Sequence, residues 1–473
     1  PPDHREGKCP TSVRFLFTEN LRRLSSHSLV MVDATIGFSA DSLNFSCSSF
    51  EPKDDSMSKF LSCTGLALLG GVVLAASATA QTAYLLKDIN TNPSTTTSPS
   101  NPYPQRTFEN QNSNKYIQMG KYFYFAATNA KVGQELYRTD GTKAGTTLVA
   151  DINPGTGSSS PYYFAVMNGK LYFRANDGKS GSELWVSDGT AAGTKLVADI
   201  YAGSSSGSPT YIQAVQNKYI VFRANNGKNG TELWGSDGTA AGTKLLLDIN
   251  QTSTTASSSP YYVTPNLVGT KVFFQATDGK TGYELYVTDG TVAGSMLVKD
   301  IRPGSSSSSP NYMVRLGATQ VIFTANDGTN GSEIWVSDGT AANTKLVKDI
   351  NVGSGSGGNT YAATPIGKKV LFRGNEATNG YEPWITDGTT AGTMLLKDVR
   401  VGTGSSYMYY SCEDNGLAYW GCSATAGSYE IWVTDGTTAG TKRFSKAAMT
   451  TASPSYLEAT GGLVFCYARD VTA

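Results

Sequence analysis

Acidic side chains are the residues of this chain with the clearest capacity for chemistry, and most of them recur at a fixed spacing. An Asp-Gly-Thr sequence occurs seven times, and a Glu stands five residues before each Asp. Carboxylates can hydrolyse glycosides as an acid–base pair, or they can bind a cation. Residues repeated sevenfold usually build a scaffold, so we expect catalysis, if any, from the acids that break the repeat. These are Glu109, Glu376, Glu413, Asp414 and Glu458.

Histidine and net charge exclude several classes of function. The two histidines, His4 and His27, both precede the repeats. A mature protein without the N-terminal segment would therefore lack a Ser-His-Asp triad, a Cys-His pair and any His-ligated metal. Lys+Arg and Asp+Glu are both 38, so the net charge is +0. No basic stripe is visible, and we therefore expect no nucleic-acid partner.

The spacing of the repeat determines the expected fold. The Asp residues of the motif stand 48 to 52 residues apart, which indicates one supersecondary unit copied in tandem. Each copy contains four short strand patterns separated by turns such as Asn168-Gly169. Four antiparallel strands per copy predict an all-β fold, a β-propeller with seven full repeats and a partial eighth. We expect eight blades, seven remaining possible, with the last unit either closing with three strands or being cut short at Ala473.

The N-terminus has the pattern of an export signal. A start and one charge at Met57-Ser58-Lys59 precede an apolar run that is too short and too Gly-broken for a good membrane span. We therefore expect residues 1–56 to be a non-native or disordered upstream segment, residues 57–80 to be a signal peptide, and residues 81–473 to form a single propeller domain. The mature protein would be secreted and would have no membrane span.

The repeat resembles the ELWxxDGT repeat family of secreted tandem-repeat proteins over about residues 84–468. The best copy of the motif is Glu183-Leu184-Trp185-Val186-Ser187-Asp188-Gly189-Thr190, and Ala192-Gly193-Thr194 and Asp199-Ile200 recur downstream. Departures include Tyr137 and Tyr286 for Trp, and Pro383 for Leu. The resemblance implies a propeller and export, and it implies no catalytic residues.

The repeated aromatic and acidic residues are expected to be structural. A Trp packed between blades buries a large area, and an Asp at a turn accepts hydrogen bonds from backbone N–H groups. Glycan stacking and cation binding are the alternatives. The residues are Trp185, Asp188, Trp234, Asp237, Trp335, Asp338, Trp384, Asp387, Trp432 and Asp435.

The loops between second and third strands are rich in oxygen ligands and could hold Ca²⁺. The candidates are Asp177, Asp278 and Asp327. No loop has the EF-hand spacing, and Asx turns have the same composition. No other cofactor is expected.

Tyrosines cluster where the first strand of each copy begins, and these are the candidate ligand-binding residues. If the first strands are innermost, the rings lie at one mouth of the central channel, where they would suit a sugar or peptide. Strand packing is the alternative. The candidates are Tyr162, Tyr211, Tyr262, Tyr312, Tyr361 and Tyr409.

Three cysteines follow the predicted signal, namely Cys412, Cys422 and Cys466. Cys412 should face Tyr419 across a hairpin, so a Cys412–Cys422 disulfide is disfavoured. We expect Cys422 to pair with Cys466 on the equivalent strand of the next repeat.

Taken together, the sequence predicts a secreted binding or adhesion module for a glycan or an extracellular protein. An extracellular glycoside hydrolase or lyase using the non-repeat acids is one alternative, and a matrix protein without a discrete ligand is another. The oligomeric state, the ligand and any catalysis stay open at this point.

Overall fold

The structure is a computed structural model. It describes residues 116–261, 264, 268–425, 428–445, 455–460 and 463–467, with the backbone of three strands nearer the N-terminus. Those three strands, Asn44–Ser49, Leu61–Leu69 and Val72–Ala78, form an antiparallel sheet of their own. Two of them lie within the segment 57–80, for which the signal peptide stays a prediction.

The repeats form consecutive antiparallel sheets, which we call blades 1 to 7. Blade 1 consists of strands Tyr116–Met119, Tyr122–Asn129, Gly133–Thr139 and Thr147–Ala150. Blade 2 consists of Tyr162–Met167, Lys170–Asn176, Ser182–Ser187 and Lys195–Ala198. Blade 3 consists of Thr210–Val215, Tyr219–Asn225, Thr231–Ser236 and Lys244–Leu247. Blade 4 consists of Val272–Thr277, Tyr283–Thr288 and Met296–Lys299. Blade 5 consists of Asn311–Leu316, Gln320–Asn326, Ser332–Ser337 and Lys345–Lys348. Blade 6 consists of Gly358–Ile366, Lys369–Glu376, Gly380–Thr386 and Met394–Leu395. Blade 7 consists of Ser411–Asp414, Leu417–Thr425, Ser428–Thr434 and Lys442–Arg443.

Blade 4 is the one blade with three full strands among the described residues. The place of its first strand is marked by isolated bridges, Tyr261 with Gln275 and Val268 with Lys271. After blade 7, Ser455–Thr460 and Leu463–Tyr467 pair as the first two strands of an eighth unit. The all-β fold, its four-stranded antiparallel blades and the start of an eighth unit confirm the prediction.

The first strand of each blade is innermost. First strands of neighbouring blades contact each other from blade 1 to blade 3 and from blade 5 to the eighth unit. In a propeller the blades converge on the central axis at their innermost strands. The start of the first strand therefore lies at one mouth of the channel.

The hydrophobic core lies between blades rather than within one of them. Between blades 2 and 3, for example, Leu184 and Val186 pack against Phe222 and Trp234. The same kind of layer recurs between each pair of neighbouring blades from 1 to 7. Because blades 2 to 7 are packed on both faces, their second and third strands carry apolar residues on both sides.

Strand direction separates the loops into two faces. The second-to-third loops and the connections between blades lie at the end where the first strands begin, and we call this the variable face. The first-to-second hairpins and the Asp-Gly-Thr turns lie at the other end, which we call the turn face. The tyrosines at the first-strand starts and the candidate calcium loops therefore share the variable face.

The predicted Cys422–Cys466 disulfide is wrong, because Cys422 is a free and fully buried thiol. Ala418, Trp420 and Cys422 alternate along their strand and all pack against blade 6. The side chain of Cys422 therefore points away from the eighth unit that carries Cys466. The predicted pairing of Cys412 opposite Tyr419 is confirmed.

Candidate functional site

The repeated Glu joins the third strand of its blade to the connection that leads to the next blade. In blade 4, Glu284 Oε2 accepts a hydrogen bond from the N–H of Ile301 at 2.8 Å, and Oε1 accepts one from the N–H of Ser308 at 2.8 Å. The hydroxyl of Ser308 donates to Oε2 at 2.5 Å. Six of these glutamates, from Glu135 to Glu382, are fully buried. This carboxylate therefore anchors the connection between blades, as expected of a buried acid.

Two of the six fully buried anchors lack the Ser hydroxyl. Gly207 and Gly357 stand where blades 1, 3, 4 and 6 carry Ser, so Glu183 and Glu333 keep only backbone donors. Oε2 of Glu333 is buried with no hydrogen-bond partner. Burial raises the pKa of both carboxyls to about 7, because the remaining backbone hydrogen bonds offset only part of the desolvation.

The Asp-Gly-Thr turn is a closed network of local hydrogen bonds. Asp188 Oδ1 accepts from the backbone N–H of Thr190 at 2.9 Å and from its hydroxyl at 2.7 Å. The same hydroxyl accepts from the N–H of Gly193 at 3.0 Å. These hydrogen bonds lower the pKa of Asp188. Equivalent bonds are made by Asp140, Asp237, Asp289, Asp338, Asp387 and Asp435.

The repeated aromatic side chains lie between blades. The indole rings of Trp185, Trp234, Trp335 and Trp384 are 3 to 8% exposed, and each belongs to the core layer shared with the preceding blade. Trp432 is partly buried, and its Nε1 donates to Glu430 Oε2 at 2.9 Å. The Trp and Asp residues of the motif therefore lie in the seams and on the turn face, respectively.

The candidate calcium residues are engaged in Asx turns. Asp177 Oδ1 accepts from the N–H groups of Lys179 at 2.9 Å and Ser180 at 2.7 Å. Burial raises the pKa of Asp177, but these hydrogen bonds outweigh it, so the net pKa is lowered. Asp278 and Asp327 make the same pair of bonds. No group of three or more acids, Cys or His suited to a metal occurs in the described part of the chain. Calcium binding there stays a prediction.

Two of the candidate tyrosines, Tyr211 and Tyr312, and the neighbour of a third, Tyr163, stand at a backbone irregularity where the first strands begin. Tyr163, Tyr211 and Tyr312 each stand two residues after a Pro and have φ of 57°, 56° and 48°. Each of the three also lies in a β-bulge, where the register of the first strand shifts against the second. A bulky residue at positive φ costs on the order of 1–3 kcal/mol, and a bulge redirects a side chain. The bulge therefore explains why these side chains depart from the regular alternation between the two faces of the sheet.

Ring contacts divide the tyrosines into two main groups. The first tyrosine cluster is a continuous series of contacts across blades 2 to 4, with centroid distances of 4.6, 5.8 and 5.1 Å; it consists of Tyr162, Tyr163, Tyr211 and Tyr261. The second tyrosine cluster spans blades 6 and 7 and contains Tyr381, Tyr407 and Tyr409. Tyr312 and Tyr361 meet edge-to-face at 5.1 Å. Five of the six predicted tyrosines thus make ring contacts, and Tyr262 lies outside the described residues.

Three arginines accompany these clusters, and the sequence reasoning missed them. Arg174 and Arg223 lie over rings of the first tyrosine cluster, and Arg373 lies 5.0 Å from the ring of Tyr381 in the second. Burial lowers the pKa of Arg174 and Arg373. Their shared position in the repeat was visible in the sequence, since all three directly follow the Phe of the second strand.

The acids that break the repeat are not brought together. Glu376 ends a second strand and therefore lies on the variable face, where the hydroxyl of Thr378 donates to it at 2.7 Å. Glu413 and Asp414 flank a first-to-second hairpin and lie on the turn face. Glu109, and the side chain of Glu458, lie outside the described residues. Glu376 therefore lies on the opposite face from Glu413 and Asp414.

Comparisons with known proteins return structures but no family. A scan against protein-family models finds no match, and neither does a search of curated proteins. The resemblance to the ELWxxDGT repeat family therefore stays a prediction. The described part of the chain contains no helix with the length and hydropathy of a membrane span.

Among solved structures, the chain is similar to the β-propeller domain of the Trilobed protease from Pyrococcus furiosus, at 13% identity and a TM-score of 0.35, over 71% of this chain and 97% of that one. It is similar to prolyl oligopeptidase B from Galerina marginata at 10% identity and a TM-score of 0.40, over 72% of this chain and 52% of that one. A puromycin hydrolase matches at 12% identity and a TM-score of 0.35, over 78% of this chain and 57% of that one. The chain thus spans little more than half the length of these two hydrolases.

The protein is an all-β chain of propeller blades with an aromatic, arginine-bearing site on one face. At TM-scores of this size the likenesses say nothing of activity, and the fold assignment rests on this chain's own strand order, register and packing between blades.

Proposed function

We propose that the protein is a secreted propeller that binds a glycan through the variable face, at the starts of its innermost strands. The observation that supports this proposal is the strained and bulged placement of Tyr163, Tyr211 and Tyr312. Backbone strain in bulky residues persists only where the surrounding structure fixes it, and it clusters at binding sites. Tyr211 is buried in the layer between blades 3 and 4, whereas Tyr163 and Tyr312 are half-buried, so these two rings are the accessible ones.

Sugar binding suits the chemistry of the two tyrosine clusters. Tyrosine rings present flat apolar faces together with a hydroxyl that donates and accepts hydrogen bonds. The Tyr162 and Tyr163 rings are half-buried, and Tyr407 is 40% exposed. A pyranose ring could stack on such a surface while its hydroxyls bond to the tyrosine and serine hydroxyls nearby.

A protein ligand is the second candidate, and export is part of the proposal. The connections between blades on the same face are rich in exposed Ser and Gly, as at residues 202–205 and 303–306. Such loops form adaptable polar contacts, which suit a protein partner or adhesion. A hydrolase has less support, because Glu376 lies on the opposite face from Glu413 and Asp414.

A glycan-array screen of the natural secreted protein, with and without EDTA, tests this proposal. We expect binding to a restricted set of glycans, and loss of that binding in a variant carrying Tyr312→Leu and Tyr361→Leu. A variant of two exposed turn-face side chains, Lys143→Ala and Lys195→Ala, is the matched control and should bind like the parent. Sensitivity to EDTA would indicate that the Asp177-type loops hold calcium.

Absence of binding to any glycan, or unchanged binding by the tyrosine variant, would contradict the proposal. A turnover assay on oligosaccharides addresses the hydrolase alternative, which product formation would support. A pull-down that retains an extracellular protein and no glycan would favour the protein ligand.

A further inference from the structure

One position of the repeat differs among blades in a way that the fold does not require. The residue after the conserved second-strand aromatic is Arg174, Arg223 and Arg373 in blades 2, 3 and 6. The other blades carry Ala126, Gln275, Thr324 and Gly421 at the same place. The second and third strands pair in all seven blades, with or without this arginine, so an arginine is not needed for folding there.

Two of these arginines share one environment. The guanidinium carbon of Arg174 lies 5.1 Å from the ring centroid of Tyr163, and that of Arg223 lies 5.4 Å from the ring centroid of Tyr211. The Tyr163 and Tyr211 rings are themselves 5.8 Å apart. Arg223 also lies 6.0 Å from the ring of Tyr261 in blade 4. Two positive charges therefore lie beside one continuous series of rings, of which Tyr162 and Tyr163 are half-buried and Tyr211 is buried.

No carboxylate balances these charges within the described residues. The groups that act electrostatically on Arg174 are the hydroxyls of Tyr163 and Tyr162, and burial lowers its pKa. Arg223 donates one hydrogen bond, to the carbonyl of Pro260 at 3.4 Å. A guanidinium has five N–H donors, and its partial burial costs free energy unless it is paired. Most N–H groups of these two guanidiniums therefore have no acceptor among the described residues.

The second cluster repeats the arrangement. Arg373 is half-buried beside Tyr381, Tyr361, Tyr407 and Tyr409, which are the groups that act on its charge. Its Nε is buried without a hydrogen-bond partner. Cation–π contacts stabilise a guanidinium by about 0.5–2 kcal/mol, but they do not satisfy its N–H donors. The same combination of an unpaired arginine and tyrosine rings thus occurs twice on the variable face.

We propose that Arg174 and Arg223, beside the half-buried rings of Tyr162 and Tyr163, bind the acidic group of an anionic glycan, a uronic carboxylate or a sulfate ester. Guanidinium forks pair with such oxyanions through two parallel hydrogen bonds, while the rings stack on the sugar. This inference rests on the proposed glycan binding and specifies the ligand class. Arg373 provides a second site of the same chemistry.

Calorimetric titration with four probes tests the proposal. The probes are an oligogalacturonate, a sulfated galactan oligosaccharide, a neutral galactan oligosaccharide of equal length, and an oligoglutamate peptide. We expect the parent protein to bind at least one acidic oligosaccharide at least tenfold more tightly than the neutral one, with an affinity that falls as salt rises. The carboxylate and sulfate probes distinguish the two sources of the anion.

The double variant Arg174→Gln and Arg223→Gln should lose at least tenfold in affinity for the acidic probe and keep its affinity for the neutral one. Glutamine is the natural residue at this position in blade 4, where Gln275 is accommodated. Arg315→Gln, an exposed first-strand arginine in blade 5, is the matched control and should bind like the parent. If the double variant does not fold, Arg223→Lys keeps the charge and should retain the preference for acidic probes in weakened form.

Equal binding of acidic and neutral oligosaccharides by the parent would overturn this inference and leave the proposed function standing. Unchanged acidic binding in the folded double variant would overturn it as well. Binding of oligoglutamate as tight as that of the acidic glycan would show a site for acidic peptides instead. If no oligosaccharide binds at all, the proposed function fails together with the inference.

Discussion

The clearest quantitative consequence of the structure concerns the Ser hydroxyl that bonds to the buried glutamate anchor. Replacing Ser308 by Ala removes one of three hydrogen bonds to Glu284 and leaves the two backbone donors, of Ile301 and Ser308, in place. Natural blades 2 and 5 already lack this hydroxyl, and there burial raises the pKa of the anchoring carboxyl to about 7. We therefore expect the Ser308→Ala variant to raise the pKa of Glu284 toward that of Glu183.

The size of the effect depends on the charge of the carboxyl. A higher pH favours the ionised form of Glu284, and losing a hydrogen bond to a buried charge costs about 1.5–3 kcal/mol of unfolding free energy. At pH 5 the carboxyl is largely protonated in the variant, and the lost bond is worth closer to about 1 kcal/mol. The variant should therefore lose more stability at pH 8 than at pH 5, by about 1–2 kcal/mol.

Denaturant unfolding at pH 5 and pH 8 measures this difference, with hydrogen exchange of the segment 301–308 as a local readout. Ser306→Ala, an exposed serine of the same connection, is the control and should change neither. An equal loss at both pH values, or a greater loss at pH 5, would refute the view that the hydroxyl stabilises an ionised carboxylate.

Three further predictions follow from the seams between blades. The stability of the parent protein should fall as the pH rises from 4.5 to 7, because Glu183 and Glu333 hold protons in the folded state that the unfolded chain releases. A pKa of about 7 instead of 4.5 corresponds to roughly 3 kcal/mol of unfolding free energy for each carboxyl. Denaturant titrations that show constant stability across this range would contradict the prediction. Trp335→Ala should lower the unfolding free energy by about 3–5 kcal/mol. The control Val352→Ala should leave it almost unchanged, because Val352 is 88% exposed. Equal unfolding midpoints of the two variants would show that Trp335 does not pack between blades. The thiol of Cys422 should resist alkylation in the native protein, because it is buried and burial raises its pKa, and rapid labelling found by mass spectrometry would refute this.

The sequence was informative where neighbours along the chain decide the structure. The period of Asp-Gly-Thr predicted the blades, and hairpin signals such as Asn168-Gly169 fall between strands as expected. The local capping of Asp188 by Thr190 also follows from turn chemistry alone. These features depend on contacts within a few residues, so one copy of the repeat contains all the information needed.

Features that depend on contacts between blades could not be predicted in the same way. The direction of Cys422 is fixed by the core that it shares with blade 6, and the sequence of blade 7 does not show it. Arg174 was missed because a single arginine in a strand has the pattern of a solvated residue. The positive φ of Tyr163 and Tyr211 arises from a bulge after a Pro, which periodicity does not indicate. The candidate site thus became visible only when neighbouring blades were placed side by side.

The central claim is that ligands bind where the copies differ, at the innermost strands of the variable face. Hydrogen exchange of the natural protein, measured with and without its tightest-binding oligosaccharide from the array, tests this most directly. We predict that protection on binding is concentrated in the first strands Tyr162–Met167 and Thr210–Val215 and in the connections that precede them. Protection confined to the Asp-Gly-Thr turns of the opposite face would contradict the claim.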